Sequence, residues 1–185
     1  MEPILVKNIM VPLADYATVS EEATLFEAVV ALKEAQKAFD QKRYRHRAVL
    51  VFDKNRNVVG KVDQIGALKA LEPKYRGLGE LADIEGLYGL KADSIRRMIE
   101  DHGLWKKPMD DICRKAANLR VKEIMHTPAQ GEYVVEDATL DEAIHQLILG
   151  NHQSLMVLRN KQIIGVLRLT DVFDHISDTM AACQL

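Results

Sequence analysis

Residues 19–29, VSEEATLFEAV, return at residues 134–144 as VVEDATLDEAI. A shorter stretch upstream, VKNIM at 6–10, returns in the same register as VKEIM at 121–125. Two separated blocks that repeat in one register are the mark of a duplicated structural unit. The chain is therefore predicted to contain two homologous halves.

A third, looser block completes the repeat. VVGKV at 58–62 pairs with IIGVL at 163–167, so the second half is shorter in its middle. We predict one unit over residues 1–72, a second over 119–185, and an unrelated insert at 73–118 between them.

Each half carries the same local signals. Thr24 with Glu27, and Thr139 with Glu142, have the spacing of a capping box at a helix start. Short Val- and Ile-rich runs joined by polar turns then predict a β-hairpin, and a last helix follows. The predicted hairpin strands and last helices are 48–52, 57–62 and 65–71 in the first unit, and 154–158, 162–168 and 171–181 in the second.

The expected fold class is α+β. Each unit has the order strand, helix, strand, strand, helix, and one unit alone has little core. The two units are therefore expected to pack against each other through their sheets as a pseudo-symmetric pair.

Composition excludes several function classes. The chain has 185 residues, 48% of them hydrophobic, and a net charge of −2, which gives no overall attraction to nucleic acid or anionic membranes. Cys113 and Cys183 have no metal-knuckle spacing, and no apolar run is long enough to cross a bilayer. With no metal, nucleophile-elbow or P-loop motif, we expect a cytoplasmic protein that is not an enzyme.

The repeated motifs resemble a tandem pair of CBS domains, the family named after cystathionine β-synthase. The resemblance rests on V-K-x-I-M, on V-x-x-(D/E)-A-T-L-x-E-A, on the hairpin, and on G-x-x-x-x-x-D from Gly165 to Asp171. It implies a regulatory module that binds AMP, ADP, ATP or S-adenosylmethionine in the cleft between the units. It also implies a homodimer whose state is read by an effector protein.

The same resemblance implies where the ligand binds. Thr170 and Asp171 match the ribose-binding end of the family signature, and a carboxylate suits the two ribose hydroxyls. Arg168 stands where Thr or Ser is usual, so it either reaches a phosphate or fills the space of the ligand. Asp171 equally suits a helix N-cap. In the first unit Gly66 replaces the aspartate, so its ribose acceptor is missing.

An adenine slot is implied by the resemblance beside Leu155, Met156 and Val157, and near Met125 and His126. Composition alone favours a core position for such apolar residues.

The basic stretch at 41–47 admits three interpretations. It is a solvated turn, or a nucleic-acid surface with Tyr44 as a stacking residue, or a source of phosphate ligands in Arg45 and Arg47. The near-neutral charge of the whole chain favours the turn over nucleic acid.

The insert is predicted to be helical over 78–90, 92–102 and 109–119, with too many apolar anchors for a simple linker. We expect the insert to pack on the pair of units or to supply a dimer contact, with Trp105 as a candidate anchor. Two main functions stay open: a nucleotide sensor, or a dimerisation module with degenerate ligand sites. Nucleic-acid binding is a weaker third.

Overall fold

The structure is a computed structural model that describes residues 3–38, 45–78 and 92–183. Within these residues, two sheets and the helices around them form the predicted α+β fold. The strands are β1 (Val11–Pro12), β2 (Thr18–Ser20), β3 (Ala48–Phe52), β4 (Val58–Asp63), β5 (Tyr133–Val135), β6 (Ser154–Arg159) and β7 (Gln162–Arg168). The helices are α1 (Leu25–Ala38), α2 (Gln64–Leu71), α3 (Ala92–Asp101), α4 (Met109–Ala116), α5 (Val121–Ile124), α6 (Leu140–Leu149) and α7 (Leu169–Ala182).

The capping boxes begin α1 and α6 as predicted. The Thr24 amide donates to Glu27 Oε2 at 2.6 Å, and the Glu27 amide donates to Thr24 Oγ1 at 3.2 Å. In the second unit the Thr139 amide donates to Glu142 Oε2 at 2.9 Å. These local bonds satisfy amides that a helix start leaves without intrahelical partners.

Both predicted hairpins form. β3 and β4 pair antiparallel, as do β6 and β7, while β2 and β5 add a parallel strand to their respective hairpins. The last helix begins earlier than its apolar pattern indicates. α7 starts at Leu169 and not at 171, because its first turn carries polar and charged residues that the apolar periodicity does not register.

The two units exchange their opening segments. β1, from the start of the chain, pairs with β7 of the second sheet, with Val11 opposite Val166. Reciprocally, a single antiparallel bridge joins His126 to Lys61 of β4.

The exchange extends upstream of β1. The Val6 amide donates to the Ala138 carbonyl at 2.9 Å, and the Val121 amide donates to the Ala23 carbonyl at 2.8 Å. Each opening segment therefore completes the opposite unit.

The cores reflect this exchange. Val6 is fully buried in the core of the second unit, and Val121 is fully buried in the core of the first. A third cluster lies between the two sheets and confirms that the units pack through them. It contains Val11, Tyr16, Leu50, Met156 and Val166.

The described part of the insert packs on the first unit. Ile112 and Ala116 of α4 are buried, and Ala116 belongs to the first core. The Trp105 indole N–H donates to the Tyr75 hydroxyl at 3.0 Å, and the Trp105 amide donates to Glu72 Oε2 at 2.9 Å. The predicted helices at 92–102 and 109–119 form as α3 and α4. Residues 79–90 of the third one lie outside the described residues.

Replacing Val6 with Ala tests the exchange, because Val6 contributes to a core whose other members lie more than a hundred residues away. We expect the free energy of unfolding to fall by about 2 kcal/mol, the loss typical of a buried aliphatic side chain. Urea unfolding followed by circular dichroism measures it. Val30→Ala, at a position 40% exposed on α1, is the matched control and should change stability little. Equal midpoints for both variants would contradict the exchange.

Candidate functional site

The candidate site lies where β4 and β7 end and the last helix of each unit begins. Asp63 and Arg168 are the last residues of their strands, and each pairs with the first residue of the neighbouring strand, Ala48 and Ser154 respectively. The two strand ends therefore hold equivalent positions on either side of the inter-unit cleft.

Arg168 and Asp171 form a buried ion pair in this cleft. The Arg168 Nε and Nη2 groups donate to the two carboxylate oxygens of Asp171, both at 2.5 Å. The two residues are only 4% and 6% exposed. Arg168 is also the N-cap residue of α7, so Asp171 lies in the first turn and does not occupy the N-cap position. A carboxylate there is favoured by the helix dipole.

Two aromatic side chains, His46 and Tyr16, lie beside the ion pair. Arg168 Nη1 lies 3.4 Å from Nδ1 of the buried His46, and the His46 ring contacts the Tyr16 ring at a centroid distance of 4.4 Å. Burial raises the pKa of the Tyr16 hydroxyl to about 12, although the Arg168 charge acts in the opposite direction. Tyr16 is therefore neutral at physiological pH.

Two guanidinium groups stand at the mouth of the cleft. Arg45 and Arg47 are exposed and line a cavity of about 60 Å³ together with Arg168 and Thr170. Among the described residues, neither the Arg45 nor the Arg47 side chain has a hydrogen-bond or ion-pair partner. The cavity is thus lined by the cations Arg45, Arg47, Lys61 and Arg168 and by the carboxylate of Asp63.

A second buried ion pair joins the units and was missed by the sequence reasoning. Lys61 Nζ donates to Glu132 Oε2 at 2.9 Å and to Ser154 Oγ at 3.3 Å. His126 Nε2 lies 2.5 Å from Glu132 Oε1. Burial of the Glu132 carboxylate raises its pKa, but the hydrogen bonds from His126 and Lys61 outweigh that effect and hold the pKa at about 2. A lysine inside an apolar strand is a signal that could have indicated Lys61, but nothing local indicates its partner.

The apolar residues of the expected adenine slot are not brought to the cleft surface. Leu155 and Val157 are fully buried in the second core, and Met156 is 1% exposed between the sheets. Met125 packs against the first core. In this conformation Leu155, Met156 and Val157 have almost no surface for a ligand, whereas Met125 is partly buried and the side chain of His126 is 51% exposed.

The first unit differs at the equivalent helix start. The Asp63 side chain accepts a hydrogen bond from the Gly66 amide at 2.6 Å and so caps α2. Gly66 has no side chain at the position that Asp171 holds in the second unit.

The described residues contain no cluster of His, Cys, Asp and Glu able to hold a metal ion. Among the described helices, none combines the length and apolar character needed to span a membrane.

The family model for the CBS domain matches residues 6–72 and 121–178. The chain belongs to the CBS domain family. None of the curated proteins matches it.

Solved structures of this family share the fold of the chain at low sequence identity. The CBS domain of a CBS domain-containing membrane protein from Sphaerobacter thermophilus is 16% identical, with a TM-score of 0.59 over 93% of this chain and 87% of that one. A putative acetoin utilization protein from Vibrio cholerae is 18% identical, with a TM-score of 0.59 over 99% and 96%. CBSX2, known from Arabidopsis thaliana and solved in complex with AMP, is 17% identical, with a TM-score of 0.57 over 96% and 98%.

The low pKa of Glu132 predicts acid-sensitive stability. The folded-state pKa is depressed, so the stabilisation is fully present above the ordinary value of 4.5 and is lost as pH falls towards 2. We expect the stability advantage of the wild type over Glu132→Gln to shrink by about 3 kcal/mol between pH 6 and pH 2. Urea unfolding across this range measures the difference. The exposed Glu100→Gln control should run parallel to the wild type, and a constant Glu132→Gln difference would refute the prediction.

Proposed function

We propose that the chain is a non-catalytic regulatory module that binds an adenine nucleotide or an adenosyl ligand in its inter-unit cleft. The observation that carries the proposal is that Arg45 and Arg47, whose side chains have no partners among the described residues, line a cavity together with Arg168, the ion-pair partner of the buried Asp171. The two guanidinium groups suit a phosphate, and the carboxylate suits a ribose. The AMP complex of the fold relative CBSX2 supports the same ligand class.

Binding in this cleft requires a conformational change. The cavity of about 60 Å³ is far below the several hundred Å³ of ordinary small-molecule sites. A ribose at Asp171 also has to displace the guanidinium of Arg168, which is then available for the phosphate. A ligand that binds only the open arrangement shifts the population towards it, and this shift is the signal for an effector protein.

Calorimetric titration with AMP, ADP, ATP and S-adenosylmethionine tests this function. We expect at least one of them to bind, and Arg47→Ala and Arg45→Ala each to weaken phosphate-bearing ligands roughly tenfold, since each removes a charged donor. Asp171→Asn should weaken all four ligands, because the neutral amide accepts less well from the ribose.

Asp174→Asn is the matched control, since Asp174 is exposed one turn further along α7. It should bind as the wild type does. If none of the four ligands gives a heat of binding to the folded chain, the proposed sensor function is contradicted.

A dimerisation function is the second candidate, and it rests on exposed apolar side chains on the helices of both units. Phe26 is 61% exposed on α1, Leu68 is 56% exposed on α2, and Phe173 is 64% exposed on α7. Large exposed apolar side chains grouped on helix faces favour a protein contact. Formation of a homodimer through these helices would not depend on ligand binding in the cleft.

Light scattering coupled to size exclusion tests the dimer. We expect the wild type to have twice the mass of the chain, and Phe173→Asp to shift it towards monomer, because a carboxylate in an apolar interface stays unpaired. Asn160→Asp adds the same charge at the exposed turn between β6 and β7 and should leave the mass unchanged. A monomeric wild type would exclude the dimer.

A further inference from the structure

We propose that a second cavity, at the opposite ends of the strands from the nucleotide cleft, binds a small organic dianion of the dicarboxylate type. This hairpin cavity has a volume of about 550 Å³ and lies between the turn that joins β3 to β4 and the turn that joins β6 to β7. Its volume falls in the range of small-molecule sites. It is formed by both units, so a ligand there contacts both.

Each hairpin turn contributes one cation to this cavity. Arg56 lines it from the first unit and Lys161 from the second, and the two residues hold corresponding positions in the repeat. Both have left-handed backbones, with φ of 63° for Arg56 and 65° for Lys161. Such a conformation favours glycine, and long side chains held in it concentrate at functional sites. Each turn therefore carries a cationic residue in a left-handed backbone conformation that glycine would adopt at lower cost.

The two cations have no counter-charge in the described part of the chain. Neither the Arg56 nor the Lys161 side chain has a hydrogen-bond or ion-pair partner there, and no described carboxylate lines the cavity. Asn55 and Gln162, whose side-chain amides can donate hydrogen bonds, line it as well. Two positive groups with adjacent amide donors suit carboxylate oxygens at two ends of one ligand.

The lining between the two turns is apolar. Leu13, Val58 and Ile163 line the cavity and pack in the cluster between the sheets, with Tyr133 beside them. An apolar surface between two cationic sites favours a short carbon chain over a compact inorganic ion, because the chain buries its methylene groups there. A dicarboxylate has this arrangement of charge and carbon.

The hairpin cavity is separate from the nucleotide cleft. Val58 begins β4 at the cavity and Asp63 ends it at the cleft. Five residue steps at about 3.3 Å each place the two strand ends roughly 16 Å apart. Binding at one site is therefore measurable without occupation of the other.

Titration of the full ¹⁵N-labelled chain with adipate and glutarate at low ionic strength tests the proposal. We expect amide shifts at Arg56, Lys161 and Tyr133 that saturate with added ligand, and affinity for the monoanion butyrate to be at least about tenfold lower. Arg56→Gly and Lys161→Gly should each weaken adipate about tenfold. Glycine accepts the left-handed turn, so these variants keep the fold.

Lys54→Ala is the matched control, because Lys54 belongs to the same turn but does not line the cavity. It should bind adipate as the wild type does. Three outcomes would overturn the proposal. They are the absence of shifts with both dianions, shifts centred on Arg45 and Arg47 at the nucleotide cleft, or unchanged affinity in both glycine variants.

Discussion

The exchange of the two opening segments between the units is the constraint on which the rest of the structure depends. Backbone hydrogen bonds from Val6 to Ala138 and from Val121 to Ala23 tie each segment to the opposite unit. Since each segment also fills part of the opposite core, neither unit has a complete core by itself. β1 covers the outer edge of β7 as well, and a covered edge strand is protected from pairing with another chain.

Buried ion pairs lie at the interface between the two units that this exchange creates. Arg168 pairs with Asp171, and Lys61 pairs with Glu132, both at low exposure. Taking an ion pair out of water costs several kcal/mol, and its attraction returns much of that cost only when the geometry is good. Such pairs contribute little net stability compared with apolar packing. The Lys61–Glu132 pair joins the two units, however, and so penalises an arrangement of the units that separates its partners.

Short-range features were predictable because their causes are short-range. The hairpins follow from alternating apolar runs and polar turns, and the capping box of Thr24 with Glu27 joins residues three apart. The proximity of Arg168 to Asp171 was open to the same reasoning, as both lie within one helical turn. The link between Lys61 and Glu132 was not, since 71 positions separate them. Burial of Leu155 in the second core likewise depends on residues from distant elements.

The amino-acid sequence by itself determined two repeated units, their strand and helix order, and their packing through apolar sheet faces, because periodicity and capping act over a few residues. Only the tertiary structure decided that Val6 completes the second core, that the cleft is closed by its own ion pair, and that Arg56 and Lys161 line one cavity. Each of these depends on the relative placement of the units, and that placement is set by contacts between residues far apart in the chain.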